Sequence, residues 1–155
     1  MRLTLHTDYA LRVLMYLGLR RGEDLASIRE IAEAYGISEN HLVKVVHGLA
    51  RAGFVETLRG RGGGLRLAMP PERIRIGAVV RQTEDDMALV ACFSDHRRCS
   101  IAGVCRLQAL LGEALAAFLA VLDRTTLADL LIPGHAGMLQ RLGLGNQAPA
   151  PSERP

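Results

Sequence analysis

The stretch Ser27-Ile28-Arg29-Glu30-Ile31-Ala32-Glu33-Ala34-Tyr35-Gly36-Ile37-Ser38-Glu39-Asn40-His41-Leu42-Val43-Lys44-Val45-Val46-His47-Gly48-Leu49-Ala50-Arg51 sets two helical segments on either side of a glycine. Ser27 to Glu30 is a capping box, in which the Ser hydroxyl and the Glu carboxylate satisfy each other's backbone amides at a helix start. Tyr35-Gly36 ends that helix, since glycine readily takes the left-handed C-cap conformation. Only Ile37 separates the glycine from Ser38, the next N-cap, so two short helices meet at a tight turn in the outline of a helix-turn-helix. From Ser38 to Ala52, Leu42, Val45, Val46 and Leu49 fall at i, i+3, i+4 and i+7 and form the inward stripe. At about 100° per residue the opposite face holds Asn40, Lys44, His47 and Arg51, all able to donate to phosphates or base edges. Lys44 and Arg51 lead this set, because a cation opposite the core needs only a phosphate to be useful. Ser38, His41 and His47 are further candidates, with surface or capping roles as the alternative for the histidines.

Working outward, Tyr9 to Leu19 is apolar at nearly every position except Arg12 and reads as a buried first helix. On the other side Gly53 closes the recognition helix and Phe54 to Arg59 alternates as a strand. Gly60-Arg61-Gly62-Gly63-Gly64 makes a flexible tip, and Leu65 to Ala68 returns as a second strand. A hairpin directly after such a helix is a wing, spanning 54–69. Arg59 and Arg61 stand at its tip, placed to reach a minor groove.

Charge divides the chain in the same way. Residues 1–81 carry 13 Lys+Arg against 8 Asp+Glu, whereas residues 82–155 carry 6 against 8. The basic half is the candidate for double-stranded DNA. All the cations but Lys44 are arginine, which suits phosphate forks, although genomic base composition explains that bias equally well. With 49% hydrophobic but only 4% aromatic residues, the 155-residue chain suits a mainly α protein of one domain plus an appendage.

Pro70-Pro71 ends the wing, and Ile74 to Glu84 reads as a short amphipathic helix. From Val104 to Leu122 runs the longest helix, with Leu107, Leu110, Leu111, Leu115, Phe118, Leu119 and Leu122 spread over more surface than one buried face needs. A partner subunit would cover the remainder. The expected organisation is a winged helix-turn-helix DNA-binding domain over 1–83, a cysteine-bearing loop over 84–103, a dimerisation helix region over 104–131 and a disordered tail over 132–155. Asp8 and Arg12 interrupt any signal-peptide core, and the longest apolar run, Ala114 to Leu122, is too short to cross a bilayer. A soluble, cytoplasmic protein is expected.

The three cysteines of the chain crowd into Cys92-Phe93-Ser94-Asp95-His96-Arg97-Arg98-Cys99-Ser100-Ile101-Ala102-Gly103-Val104-Cys105. Three thiols cannot all pair within one molecule, and their place in a polar, glycine-containing segment argues against three small core hydrophobes. Structural zinc, completed by Asp95 or His96, usually takes cysteines two to four apart. Here six and five residues intervene, arcs that suit a larger body such as an iron–sulfur cluster. Three thiolates leave one position of such a cluster open, and His6, Asp8, Glu84, Asp85, Asp95 and His96 are candidates to fill it. No Gly-rich phosphate cradle, nucleophile elbow or His-Glu metal motif accompanies them, so an enzyme is not expected.

The N-terminal Met1-Arg2-Leu3-Thr4 with Thr7-Asp8-Tyr9-Ala10-Leu11-Arg12, the helix Ile37 to His47 and the wing Arg59 to Ala68 together resemble the NsrR branch of a bacterial winged-helix regulator family that also includes IscR. The three-cysteine segment followed by a long helix matches too, so the resemblance covers residues 1 to about 131. It implies a homodimer crossed through the long helix, on a two-fold symmetric operator. It also implies an iron–sulfur cluster on Cys92, Cys99 and Cys105, 4Fe-4S being favoured over 2Fe-2S, and repression relieved by nitric oxide. By the same resemblance Asp8 of the partner subunit is the fourth ligand, and the cluster-loop His of IscR-like members is missing from its corresponding place. An iron- or redox-responsive regulator of the IscR type and a zinc- or thiol-based DNA-binding switch stand as alternatives.

Overall fold

A computed structural model describes residues 2–20, 24–60, 62–94, 99–101, 103–132 and 135–145. Helix α1 spans Leu5–Leu19, α2 Ile28–Tyr35 and α3 Glu39–Arg51; strands β1 Val55–Leu58 and β2 Gly64–Leu67 follow. After a 3-10 turn at Pro71–Arg73 come α4 Ile76–Thr83, α5 Ala91–Ser94, α6 Arg106–Arg124, α7 Leu127–Leu131 and α8 His135–Arg141. A mainly α chain with one small antiparallel sheet is the result, as the sequence predicts.

Helix α1 begins four residues before the expected Tyr9, because Thr4 caps it: the Thr7 amide donates to Thr4 Oγ1 at 3.3 Å. Helix α2 carries the predicted capping box, the Glu30 amide donating to Ser27 Oγ at 3.1 Å and the Ser27 amide to Glu30 Oε2 at 2.6 Å. Gly36 ends it at φ 64°, a left-handed conformation that a side chain would strain. In α3, Leu42, Val45, Val46 and Leu49 are buried, the stripe expected from their spacing.

Val55 pairs with Leu67 and Leu58 with Gly64 across the hairpin. The hairpin is also tied to the chain before α2, where the Ala26 and Leu65 amides each donate to the other's carbonyl at 3.0 and 2.7 Å. Sequence reading takes the glycines beside Arg61 as a flexible tip; the structure gives them tighter duties. A Cβ at residue 63 would collide with the Leu58 carbonyl, and one at residue 64 would stand 2.8 Å from Leu25 Cβ and 2.9 Å from the Ala26 carbonyl.

The core draws on both ends of the chain. Ala10, Val13 and Leu14 of α1, Ile31 of α2, the α3 stripe, Leu65, Ile74, Val79 and Val80 share one cluster with Leu127, Leu131 and Leu144. The expected boundary at residue 83 therefore does not separate two cores, since α7 returns to pack on α1. The tail expected to be disordered from 132 instead forms α8, because Met138, Leu139, Leu142 and Leu144 offer it an apolar face to bury. Residues 146–155 lie outside the described ones. No helix among the described residues is long and apolar enough to cross a membrane.

Candidate nucleic-acid interface and cysteine segment

Burial of one side of α3 turns the other to solvent: Asn40, His41, Val43, Lys44, His47 and Arg51 are all exposed. Ser38 takes the N-cap position, and its side chain makes no capping hydrogen bond. The 13-residue helix is about 20 Å long and stands clear of the core on this side, the form a major groove admits. His41 is placed differently from its neighbours, with its ring 6.2 Å from that of Tyr9 on α1. Val43 was not singled out from the sequence; it is 51% exposed among these polar side chains, an apolar group suited to contact with a thymine methyl.

Several arginines of the basic half are already occupied. Arg12 pairs with Asp8, Arg20 with Glu30, Arg29 with Glu33, Arg66 with Glu56 and Arg81 with Asp123. Lys44, Arg51 and Arg59 take part in none of the ion pairs among the described residues and are exposed. Arg59 enters the wing tip, where the Gly63 amide donates to the Gly60 carbonyl at 3.0 Å and turns the chain. Arg61 lies outside the described residues.

The cysteine segment hangs between α4 and α6. Cys92 sits in α5, a single helical turn too short to show periodicity in the sequence; Cys99 follows in a loop, and Cys105 is the N-cap of α6. All three thiols are free and partly exposed. The chemistry of this donor set fits an iron–sulfur cluster, which is held by soft thiolates. Among the described residues no three His, Cys, Asp or Glu side chains converge closely enough to hold a metal ion. Asp95 and His96 lie outside the described residues.

The other candidate ligands are distributed around the start of α1. Asp8, in its first turn, is half-exposed and held by Arg12, whose Nε donates to Oδ1 at 3.1 Å and whose Nη2 stands 3.0 Å from Oδ2. Glu84, at the root of the cysteine segment, accepts from the Thr4 amide at 2.8 Å and the Thr4 hydroxyl at 3.0 Å. Burial pushes the Glu84 carboxyl up, but hydrogen bonds from Thr7 and Thr4 and the nearby His6 outweigh it and hold the group below its ordinary value. His6 also lies beside α3, its Nε2 3.5 Å from where a Gly48 Cβ would stand. Asp85 is exposed.

Residues 3–133 match the Rrf2 family, described as an iron-dependent transcriptional regulator. The chain is similar to the HTH-type transcriptional regulator NsrR of Bacillus subtilis (strain 168), 55% identical over 132 residues that cover 84% of this chain and 90% of that protein. The protein of the same name from Geobacillus kaustophilus (strain HTA426) is 54% identical over the same shares of the two chains. Among solved structures, a putative transcriptional regulator from Listeria innocua superposes with a TM-score of 0.71 at 33% identity, covering 84% of this chain and 86% of that one. The exposed face of α3, the wing beside it and these likenesses lead to one assignment: the chain belongs to the Rrf2 family of transcriptional regulators, which are not enzymes.

Proposed function

We propose that this regulator is an iron–sulfur repressor that binds a two-fold symmetric DNA operator as a homodimer and releases it in response to nitric oxide. The observation that carries the reading is the pairing of a DNA-reading face with a cysteine segment in one chain that is 55% identical to a protein named NsrR. Ser38, Asn40, His41, Lys44, His47 and Arg51 would meet the major groove and its flanking phosphates, and Arg59 and Arg61 the minor groove beside it.

Dimerisation is supported by α6, which buries none of its residues within the chain. Leu107 and Leu110 on it are 60% and 61% exposed, and Val104 just before it is 81% exposed. A helix with this much open apolar surface calls for a second copy against it.

Cys92, Cys99 and Cys105 would hold the cluster, with Asp8 of the partner subunit at the remaining position and 4Fe-4S favoured over 2Fe-2S. When bound, the cluster supplies iron that reacts with nitric oxide. Asp8 can serve as a tie between subunits because its carboxylate is at the surface, where Arg12 is its ion-pair partner among the described residues. It lies on α1, the helix that packs on α3, so a pull on Asp8 is felt by the recognition helix. Releasing Asp8 leaves each DNA-binding module freer relative to its partner, and the added ordering on docking lowers operator affinity.

The test is anaerobic purification followed by absorption spectroscopy during nitric oxide titration, with operator binding measured in parallel. The expected result is a coloured dimer that bleaches and leaves DNA together. A colourless, iron-free dimer that still binds the operator specifically would overturn the cluster, pointing to a zinc switch if it carries zinc and to a thiol switch if it carries no metal. For the tether, Asp8→Ala should alter both the spectrum and the nitric-oxide-dependent release; unchanged behaviour in both would remove Asp8 from the mechanism.

A further inference from the structure

The end of the long helix meets α4 at a polar joint. Asp123, at the end of α6, accepts from both terminal nitrogens of Arg81 on α4, with Nη2 2.7 Å from Oδ2 and Nη1 donating to Oδ1 beside it. The fork lies over Gly77, where a Cβ would collide with Asp123 Oδ1. Gly77 is an ordinary helical residue without positive φ. Backbone conformation therefore does not require glycine there, whereas the approach of the carboxylate does.

Backbone bonds complete the joint. The Ile76 amide donates to the Thr125 carbonyl at 3.0 Å and the Leu127 amide to the Ile74 carbonyl at 2.8 Å. Arg75 Nη1 donates to the Arg124 carbonyl at 3.2 Å. The end of α6 is thus fixed against the start of α4, and the cysteine segment leads into its other end. Arg81 and Asp123 are nearly half exposed, and exposed ion pairs contribute little to stability. A two-point fork seated on a cleared glycine instead specifies direction.

We propose that the Arg81–Asp123 fork, seated on Gly77, sets the angle between α6 and the recognition helix and so selects the half-site spacing that the dimer accepts. This rests on the dimer through α6 proposed above. The 19 residues of α6 make a lever of about 28 Å, and a rotation of about 10° at the joint displaces its far end by about 5 Å. That exceeds the rise of about 3.4 Å per base pair, so a small change of angle shifts one recognition helix by a full base-pair step. Arg81 and Asp123 act here as positioning residues and touch no base.

The test uses the full chain, purified anaerobically, and a two-fold DNA selected from a random pool by the wild type. Half-site spacing is varied by one and two base pairs in each direction, and mass is followed by light scattering. Wild type should prefer one spacing by about tenfold or more. Arg81→Asp and Asp123→Arg should each reduce that preference to within about threefold, with affinity for a single half-site unchanged, and the double exchange should restore it. Gly77→Ala keeps both charges and improves helix propensity, yet should flatten the preference because it displaces the carboxylate. It decides the matter if the charge variants fail to fold. Folded dimeric variants that keep the wild-type optimum and ratio would overturn the proposal alone, as would a double exchange that restores nothing. A monomeric wild type would overturn the dimer reading, and this inference with it.

Discussion

Lys44, Arg51 and Arg59 are exposed and outside the ion pairs among the described residues, which separates them from Arg12, Arg29 and Arg66. A cation that neutralises a phosphate releases a counterion, so each of the substitutions Lys44→Ala, Arg51→Ala and Arg59→Ala should weaken binding to all DNA sequences alike. Each should also reduce the slope of log affinity against log salt by about 1. Asn40→Ala should behave differently, losing about 1–3 kcal/mol on the preferred site and relaxing choice at one base pair with the salt slope unchanged. Anisotropy titrations at several salt concentrations distinguish the two patterns, and a slope unmoved by all three cation variants would remove them from the phosphate contacts. Away from this face, burial pushes the Tyr35 phenol up to about 12, with Arg12 pulling it down and Tyr16 raising it further. Because the folded value exceeds the unfolded one, stability falls as pH rises above the ordinary tyrosine range. An alkaline absorbance titration should show a late tyrosinate step that Tyr35→Phe abolishes.

At the scale of elements, the start of α1 depends on a residue far along the chain. Glu84 accepts two hydrogen bonds from Thr4, the N-cap, and its carboxyl is held below its ordinary value. A lowered folded value means that this contribution is present above the unfolded pKa and is lost as pH falls through the folded one. Glu84→Gln should therefore lower the melting temperature at neutral pH, with the gap to wild type closing on acidification; a gap constant with pH would exclude the carboxylate charge as its cause. This contact also shows what sequence could and could not reveal. The capping box of α2 and the stripe Leu42, Val45, Val46, Leu49 were legible because both follow from spacing within one helix. Thr4 was not, because α1 carries no capping box and Glu84 stands 80 residues away. The exposed side chains of α3 were legible for the same reason as the stripe they oppose, but the ring contact of His41 with Tyr9 depends on how α1 crosses α3. Gly63 and Gly64 looked like flexibility in sequence and prove to be close approaches to backbone.

For the whole molecule, the core around α1 to α4 is closed by chain that lies beyond the cysteine segment and the long helix. Thr126 and Asp129 form a capping box that starts α7, the Asp129 amide donating to Thr126 Oγ1 at 3.2 Å and the Thr126 amide to Asp129 Oδ2 at 2.8 Å. Helix α7 then lies on α1 at Gly18, where a Cβ would come within 2.7 Å of Leu131 Cδ1 and 3.5 Å of Leu127 Cδ2. Five residues are too few to display an amphipathic period, which is why this return was not legible while the longer helices were. Leu127 is fully buried in the same cluster as Leu14 and Val79. Its truncation leaves a void that α1 and α4 cannot easily close, because the backbone bond from Leu127 to Ile74 holds α7 in place. Leu127→Ala should accordingly cost about 2–5 kcal/mol in urea unfolding. If the core is continuous, amides of α3 should exchange faster by the corresponding factor, although Leu127 is not on the recognition helix. A loss below about 1 kcal/mol, or faster exchange confined to α7, would show instead that residues 1–83 hold their core without the returning chain.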